Sequence, residues 1–114
     1  MEALEMTLLF DYYGELLTEK QRNCVDMRYN QDMSLGEIAQ ELGISRQGVY
    51  DNLNRAEGLL RNMEQKTGFV RRDARVRLLA QEILAAAQQL QTGSGEDIGN
   101  VAARIVAAAR ELEE

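Results

Sequence analysis

The residue types that most often carry catalysis are scarce in this chain of 114 residues. It contains no histidine and a single cysteine, Cys24, so neither a Ser–His nor a Cys–His nucleophile pair can form. The sequence shows no Gly-rich phosphate loop and no metal-ligand spacing. Cys24 falls among apolar positions at helical spacing, and we interpret it as a buried thiol in a reducing compartment. We therefore expect no enzymatic activity and no cofactor.

Side chains suited to binding lie between residues 45 and 55. The segment 34–56 has the pattern of a helix-turn-helix, with Ala39 at the helix crossing and Gly43 at the turn, where a positive φ is needed. Apolar residues at matching offsets supply the shared core: Ile38, Leu42, Ile44, Val49 and Leu53. The side chains left facing outward on the second helix are Ser45, Arg46, Gln47, Tyr50, Asp51, Asn54 and Arg55. All but Asp51 are candidate contacts to bases or phosphates.

Asp51 does not suit a helix that enters a DNA groove. Its carboxylate would have to accept from a cytosine amine or be repelled by phosphate. The alternative is an ion pair with Arg55 one helical turn away, and we favour this interpretation.

Charge is unevenly distributed along a chain whose net charge is -6. Residues 45–77 carry eight basic and four acidic residues, whereas the segments before and after are acidic. Since local positive charge supplies most non-specific nucleic-acid affinity, this segment is a second candidate surface. Its cations beyond the motif are Arg61, Lys66, Arg71, Arg72, Arg75 and Arg77. The alternative is a solvated helix face without a ligand.

Composition and periodicity predict an all-α fold. Proline is absent, hydrophobic residues make up 45%, and the apolar spacing is helical throughout. Capping boxes are predicted at 18–21 and 34–37, and a helix stop at 67–68. The predicted helices span residues 2–17, 19–29, 34–43, 45–66, 73–91 and 98–112. No run of 18 apolar residues and no basic leader is present, so we expect no membrane association and a cytoplasmic location.

Two parts follow from these elements. Residues 1–69 form a helical domain with the helix-turn-helix and a long recognition helix, and residues 70–114 form a pair of C-terminal helices. The sequence TGSGED at 92–97 is the predicted linker between the pair. The pair either folds back on the helix-turn-helix or packs residues 98–112 against a second copy. We predict a homodimer, as is common among helix-turn-helix proteins.

The helix-turn-helix resembles the promoter-reading fourth region of bacterial sigma factors. The matching residues are Glu37-Ile38-Ala39, Leu42-Gly43, Ser45, Val49, Leu53, Arg55-Ala56 and Leu60, preceded by Leu17, Gln21-Arg22, Val25, Arg28-Tyr29 and Ser34. The stretch from Leu9 to Phe69, with "LFDYYGELLTEKQ" and "ISRQGVYDNLNRAE", is similar to the YlxM family of small bacterial helix-turn-helix proteins. Gly48 and Gly58 depart from that family's pattern, which usually has an alanine and a charged residue there.

The YlxM resemblance implies a cytoplasmic protein whose gene lies beside those of the signal recognition particle GTPase and its receptor. It therefore implies a regulatory role in co-translational membrane targeting, with contacts to the particle's RNA or its GTPase. Two other functions remain open. One is a transcription regulator that binds duplex DNA through residues 45–55, and the other is a protein-binding adaptor without nucleic-acid contact.

Overall fold

Six α-helices make up most of the part of the chain that the structure, a computed structural model, describes: residues 3–92 and 98–113. The helices are α1 (Ala3–Tyr13), α2 (Glu19–Val25), α3 (Leu35–Leu42), α4 (Arg46–Thr67), α5 (Phe69–Thr92) and α6 (Ile98–Glu113). The described residues contain no strand, which confirms the predicted all-α fold. The chain divides into two compact units, Met1–Val70 and Arg71–Glu114.

Local hydrogen bonds set the starts of α2 and α3 where the sequence predicted them. Thr18 accepts from the Gln21 backbone N–H at 3.2 Å, and the Gln21 side chain accepts from the Thr18 N–H at 3.0 Å. Ser34 and Glu37 repeat this exchange at 3.1 Å in both directions. The bonds from Ser34 hold the pKa of the Glu37 carboxyl below its usual range. Both capping boxes are therefore confirmed.

The first unit is built around one apolar core that reaches from α1 to α4. Twelve described side chains are buried in it: Met6, Leu9, Tyr13, Leu17, Cys24, Val25, Ile38, Ala39, Val49, Leu53, Ala56 and Leu60. Cys24 is buried as predicted, and burial raises the pKa of its thiol. The predicted motif core is confirmed at Ile38, Val49 and Leu53, while Leu42 and Ile44 are half-buried against it.

The first two helices are shorter than the apolar pattern predicted. α1 ends at Tyr13 and gives way to a 3₁₀ turn at Gly14–Leu16. Leu4 and Leu8 are exposed, because α1 is apolar on both sides and only one side packs on the core. α2 ends at Val25 and continues as a π-helical turn, Asp26–Asn30.

α5 starts four residues before its predicted start at Asp73. The preceding helix supplies the cap: the Glu64 carboxylate accepts from the Val70 N–H at 3.0 Å, and Thr67 Oγ1 accepts from the Phe69 N–H at 3.4 Å. These bonds satisfy N–H groups that an α-helix start leaves unpaired. Gly68 adopts φ 65° between the two helices, which confirms the predicted stop of α4.

The second unit is a pair of helices, the rest of α5 and α6. Four of its described side chains are buried: Leu79, Ala86, Val101 and Ala108. Several larger apolar side chains stay exposed, among them Leu84 at 59% and Val106 at 48%. Of the predicted linker, Thr92 ends α5, and residues 93–97 lie outside the described residues.

Candidate nucleic-acid interface

The helix-turn-helix consists of α3, a tight turn and α4. Gly43 takes the left-handed conformation, with φ 67°, and the Ile44 N–H donates to the Ala39 carbonyl at 3.1 Å. Ala39 is 7% exposed beneath the crossing, where a larger side chain would push the helices apart. The turn thus holds the first turn of α4 outward from the body of the unit.

α4 has a buried side and an outward side. At about 100° per residue, its core residues Val49, Leu53, Ala56 and Leu60 share one side. The rest of its circumference, an arc of about 200°, carries the side chains predicted to face outward together with two of the further cations. We call this set the α4 outer face, and its residues, all exposed, are Arg46, Gln47, Tyr50, Asp51, Asn54, Arg55, Arg61 and Lys66.

Ser45 has a structural task at the edge of this face. Its hydroxyl oxygen accepts from the Gly48 backbone N–H at 2.9 Å and caps α4. A lone pair of this hydroxyl is therefore committed to the helix start. The guanidinium of Arg46, the next residue, extends beside the first turn of α3, about 4 Å from where a Cβ on Gly36 would lie. The start of the face is thereby shared between α3 and α4.

Asp51 is bonded differently from the sequence interpretation. The Gln47 side-chain amide donates to the Asp51 carboxylate at 3.0 Å. No ion pair joins Asp51 to Arg55 in the described part of the chain, so that preferred pairing is wrong. Both pairings span one helical turn, and the amide is the partner nearer the helix start. As a consequence, one side-chain N–H of Gln47 is already used in an intramolecular hydrogen bond.

Two other carboxylates of α4 turn toward the core. Glu57 accepts from the Tyr29 hydroxyl at 2.8 Å, and Glu64 accepts from the Tyr13 hydroxyl at 2.7 Å. Burial, followed by the hydrogen bond and charge of Glu57, raises the pKa of Tyr29 to about 12. Burial likewise raises the pKa of Tyr13. Both carboxylates sit among half-buried groups of the first unit.

These two hydrogen bonds determine which charged groups of α4 are exposed on its outer face. By sequence, α4 carries four cations and three acidic residues. With Glu57 and Glu64 directed to the tyrosines, the outer face retains Arg46, Arg55, Arg61 and Lys66 against Asp51 alone. No sequence signal marked the two tyrosine–glutamate pairs, since their partners lie 28 and 51 residues apart. From Arg46 to Arg61 the face extends about 22 Å.

The remaining four predicted cations belong to the second unit and do not share one side of α5. Arg71, Arg72 and Arg75 lie within an arc of about 100°, whereas Arg77 lies about 200° around the helix from Arg75. Arg75 forms a 3.8 Å ion pair with Glu111 of α6. The predicted single basic surface from Arg61 to Arg77 is therefore divided between two units and, within α5, between two sides.

Other classes of site were sought among the residues that the structure describes. No group of three or more cysteine, aspartate or glutamate side chains there could hold a metal ion. Within residues 3–92 and 98–113, no helix is long and apolar enough to cross a membrane. The α4 outer face is thus the arrangement of polar side chains with the most binding chemistry.

Comparison with known proteins identifies relatives for most of the chain. The UPF0122 family, described as "Putative helix-turn-helix protein, YlxM / p13 like", matches residues 1–98. A UPF0122 protein of Acetivibrio thermocellus is 46% identical over 93 residues, 82% of this chain and 80% of the relative. One of Shouchella clausii is 49% identical over 81 residues, 70% of this chain and 74% of the relative.

A UPF0122 protein of Thermoanaerobacter sp. strain X514 is 58% identical over 71 residues, 62% of this chain. That match spans 61% of the relative's own length. The family description names a helix-turn-helix and no catalytic activity. The predicted resemblance is therefore confirmed, and this chain belongs to the UPF0122 family of YlxM/p13-like helix-turn-helix proteins.

Proposed function

We propose that this chain is a cytoplasmic regulatory protein that binds nucleic acid through the α4 outer face. Its proposed ligand is the RNA of the signal recognition particle. The observation that carries the proposal is the charge of that face: four exposed cations and one carboxylate, on the helix that the helix-turn-helix holds outward. The choice of this RNA rests on the YlxM resemblance, which implies a role in co-translational membrane targeting.

Electrostatics supports backbone binding despite the net charge of -6. A phosphate ligand responds to the charges within about 10 Å at physiological salt more than to the total. The acidic residues of α1 to α3 are spread over other helices, whereas the four cations of α4 are all exposed along one helix. Glu57 and Glu64 are half-buried and hydrogen-bonded to tyrosines, so they do not stand exposed among these cations.

The Gln47–Asp51 hydrogen bond favours recognition of shape and phosphate over reading of bases. A glutamine that reads adenine uses its amide as both donor and acceptor. In this chain one N–H is donated to Asp51, and the carboxylate lies in the middle of the face. Arg46, Tyr50 and Asn54 retain groups suited to phosphate, sugar and stacking contacts, which dominate RNA recognition.

A second candidate is a transcription regulator that binds duplex DNA. The tight turn at Gly43 and the capped start of α4 at Ser45 are the features that favour it, since they present the first turn of the helix to a groove. The two candidates use the same helix but different parts of it. DNA reading depends on Arg46 and its neighbours, and RNA backbone binding depends also on Arg55, Arg61 and Lys66.

Binding titrations separate these functions. The full chain is titrated against signal recognition particle RNA, random duplex DNA and the purified GTPase, each at two salt concentrations. We expect RNA binding that weakens in Arg55→Ala and Arg61→Ala. The slope of log affinity against log salt should fall by roughly 0.7 to 0.9 per contact removed. Lys20→Ala is the matched control, because Lys20 is an exposed cation on a different helix, α2.

Each other result has a definite meaning. Tight, salt-dependent binding to duplex DNA that Arg46→Ala abolishes would overturn RNA binding in favour of the transcription regulator. Binding to the GTPase with no binding to either nucleic acid would leave a protein-binding adaptor. An equal loss of RNA affinity in Lys20→Ala would remove α4 as the contact surface.

A further inference from the structure

The two sides of the α5–α6 pair differ in chemistry. On one side, polar groups join the helices: Arg75 pairs with Glu111 at 3.8 Å, and Arg104 donates to Gln89. Low numbers in α5 meet high numbers in α6, so the helices run antiparallel. In α5, residues 75 and 89 are two seven-residue repeats apart, and in α6, 104 and 111 are one repeat apart. This charged side therefore follows a heptad pattern.

The opposite side is apolar along the same heptads. In an antiparallel pair, equivalent flanking positions of the two helices lie on the same side. The flank that faces away from the charged side carries six apolar residues, which we call the apolar side: Ala80, Leu84 and Ala87 of α5, and Ala102, Val106 and Ala109 of α6. Its two large side chains, Leu84 and Val106, are 59% and 48% exposed.

The polar contacts also set the register of the apolar side. Fourteen residues of α5 but only seven of α6 separate the two contacts, so their long side chains reach along the helices, and midway between the contacts Leu84 lies level with Val106. Alanines stand one turn above and one turn below this pair. The same averaged register brings Arg77 level with Glu113 at the edge of the apolar side. Because alanines flank the larger pair Leu84 and Val106, the backbone of another pair of helices can approach closely on either side of them.

We propose that the apolar side is a homodimer interface on which a second copy of the α5–α6 pair packs, forming a four-helix bundle. A twofold axis along the bundle places α5 of one copy antiparallel to α6 of the other, the neighbour relation of up-and-down bundles. Leu84 of each copy then faces Val106 of the other, and alanine faces alanine. The same axis places Arg77 opposite the other copy's Glu113, twice.

Charge complementarity and self-complementarity select a second copy as the occupant. A symmetric interface must match itself, and here each large residue meets a large one and each cation meets a carboxylate. The six residues of the apolar side include no ionisable group, so an acidic or basic partner finds no counter-charge within it. The pair also buries only four described side chains of its own, which leaves apolar area for a symmetric mate.

Sedimentation equilibrium and light scattering of the full chain test the interface. We expect twice the chain mass of 12.9 kDa at tens of micromolar, and a monomer for Leu84→Glu and Val106→Glu. Leu78→Glu is the matched control, since Leu78 is a leucine of the same helix at 62% exposure, about 120° away from Leu84. A monomeric wild type at 100 µM, or dimers that survive both apolar-side substitutions, would overturn the proposal.

A charge swap tests the arrangement without adding charge to the apolar side. Arg77→Glu and Glu113→Arg should each weaken dimerisation several-fold, and the double variant should restore it, because each swapped cation again meets a carboxylate. Circular dichroism verifies that helix content is unchanged in all variants. If Leu84→Glu loses helix content, the test rests on the charge swap. Additive weakening of dimerisation in the Arg77→Glu, Glu113→Arg double variant would overturn the twofold arrangement.

Discussion

The two units of this chain bury their apolar side chains to very different extents. The first unit buries twelve described side chains, including the large residues Met6, Ile38 and Leu60, whereas the second buries four, two of them alanines. The two units also differ in the number of helices that enclose the core: several helices converge in the first unit, and two helices form the second. The difference shows that the first unit supplies its own core, while the second exposes apolar surface suited to association.

Polar bonding differs between the units in the same sense. In the first, tyrosine hydroxyls bond carboxylates of α4 at 2.7 and 2.8 Å, among half-buried groups. In the second, Arg75 and Glu111 meet at 3.8 Å with about half of each side chain exposed. Exposed pairs of that kind contribute about 0 to 1 kcal/mol. Specific polar contacts therefore reinforce packing mainly in the first unit.

The largest expected effect comes from emptying each core by the same substitution. Leu60→Ala should lower the free energy of unfolding of the first unit by about 3 kcal/mol, since Leu60 is fully buried. Leu79→Ala should leave that transition unchanged. Urea unfolding followed by tyrosine fluorescence measures this selectively, because all four tyrosines lie in the first unit, at positions 12, 13, 29 and 50.

Far-ultraviolet circular dichroism provides the control, because it reports both units. We expect Leu79→Ala to change the dichroism transition and not the fluorescence transition. Equal shifts of the two transitions in both variants would contradict separate behaviour and show that the chain unfolds as one cooperative unit.

A smaller effect is expected at alkaline pH and only in the first unit. The pKa of Tyr29 is raised to about 12 in the folded state, from 10 in the unfolded chain, so the folded state holds this proton more tightly. The resulting stability is fully present below pH 10 and is lost as the pH rises toward 12. Tyr29→Phe should reduce this loss, as measured by urea midpoints across that range.

Tyr50→Phe is the matched substitution for this test. Tyr50 is half exposed on the α4 outer face, whereas Tyr29 bonds Glu57. Its replacement should leave the alkaline loss as it is in the wild type. An equal reduction in both variants would remove the Tyr29–Glu57 bond as the cause.

The smallest expected effect concerns two glycines within α4. A Cβ added at Gly58 meets no atom within 4 Å, so Gly58→Ala should stabilise the first unit by about 0.5 to 1 kcal/mol. A Cβ at Gly48 would lie 3.2 Å from the Ser45 hydroxyl that caps the helix, so Gly48→Ala should gain less. Tyrosine-detected unfolding compares the two, and a larger gain at Gly48 would contradict this account.

Features that depend on neighbours in the sequence were predicted well. The capping boxes at Thr18 and Ser34, the turn at Gly43 and the stop at Gly68 all involve groups within a few residues of one another. The early start of α5 was missed, although its cap is also local, because Glu64 and Thr67 belong to the preceding helix. Residues that lie within one helix are not recognised from the sequence as caps for the start of the next helix.

The candidate site was predicted in part. Its exposed residues on α4 follow from helical periodicity, which distinguishes the buried side from the outward side. The partner of Asp51 was wrong because Gln47 and Arg55 are both one turn away, and spacing alone does not rank them. The inward direction of Glu57 and Glu64 could not be predicted, because it depends on tyrosines far away in the chain.

By itself, the sequence determined the helical class, the helix-turn-helix and the family, since these depend on local hydrogen bonds and on the spacing of apolar residues. The tertiary structure alone decided which of the charged groups form a surface. It turned two carboxylates of α4 toward Tyr13 and Tyr29 and placed the arginines after Arg61 in a different unit from those of α4. The reason is physical: periodicity assigns a side chain to a side of its helix, but its bonding partner depends on which other helices pack there.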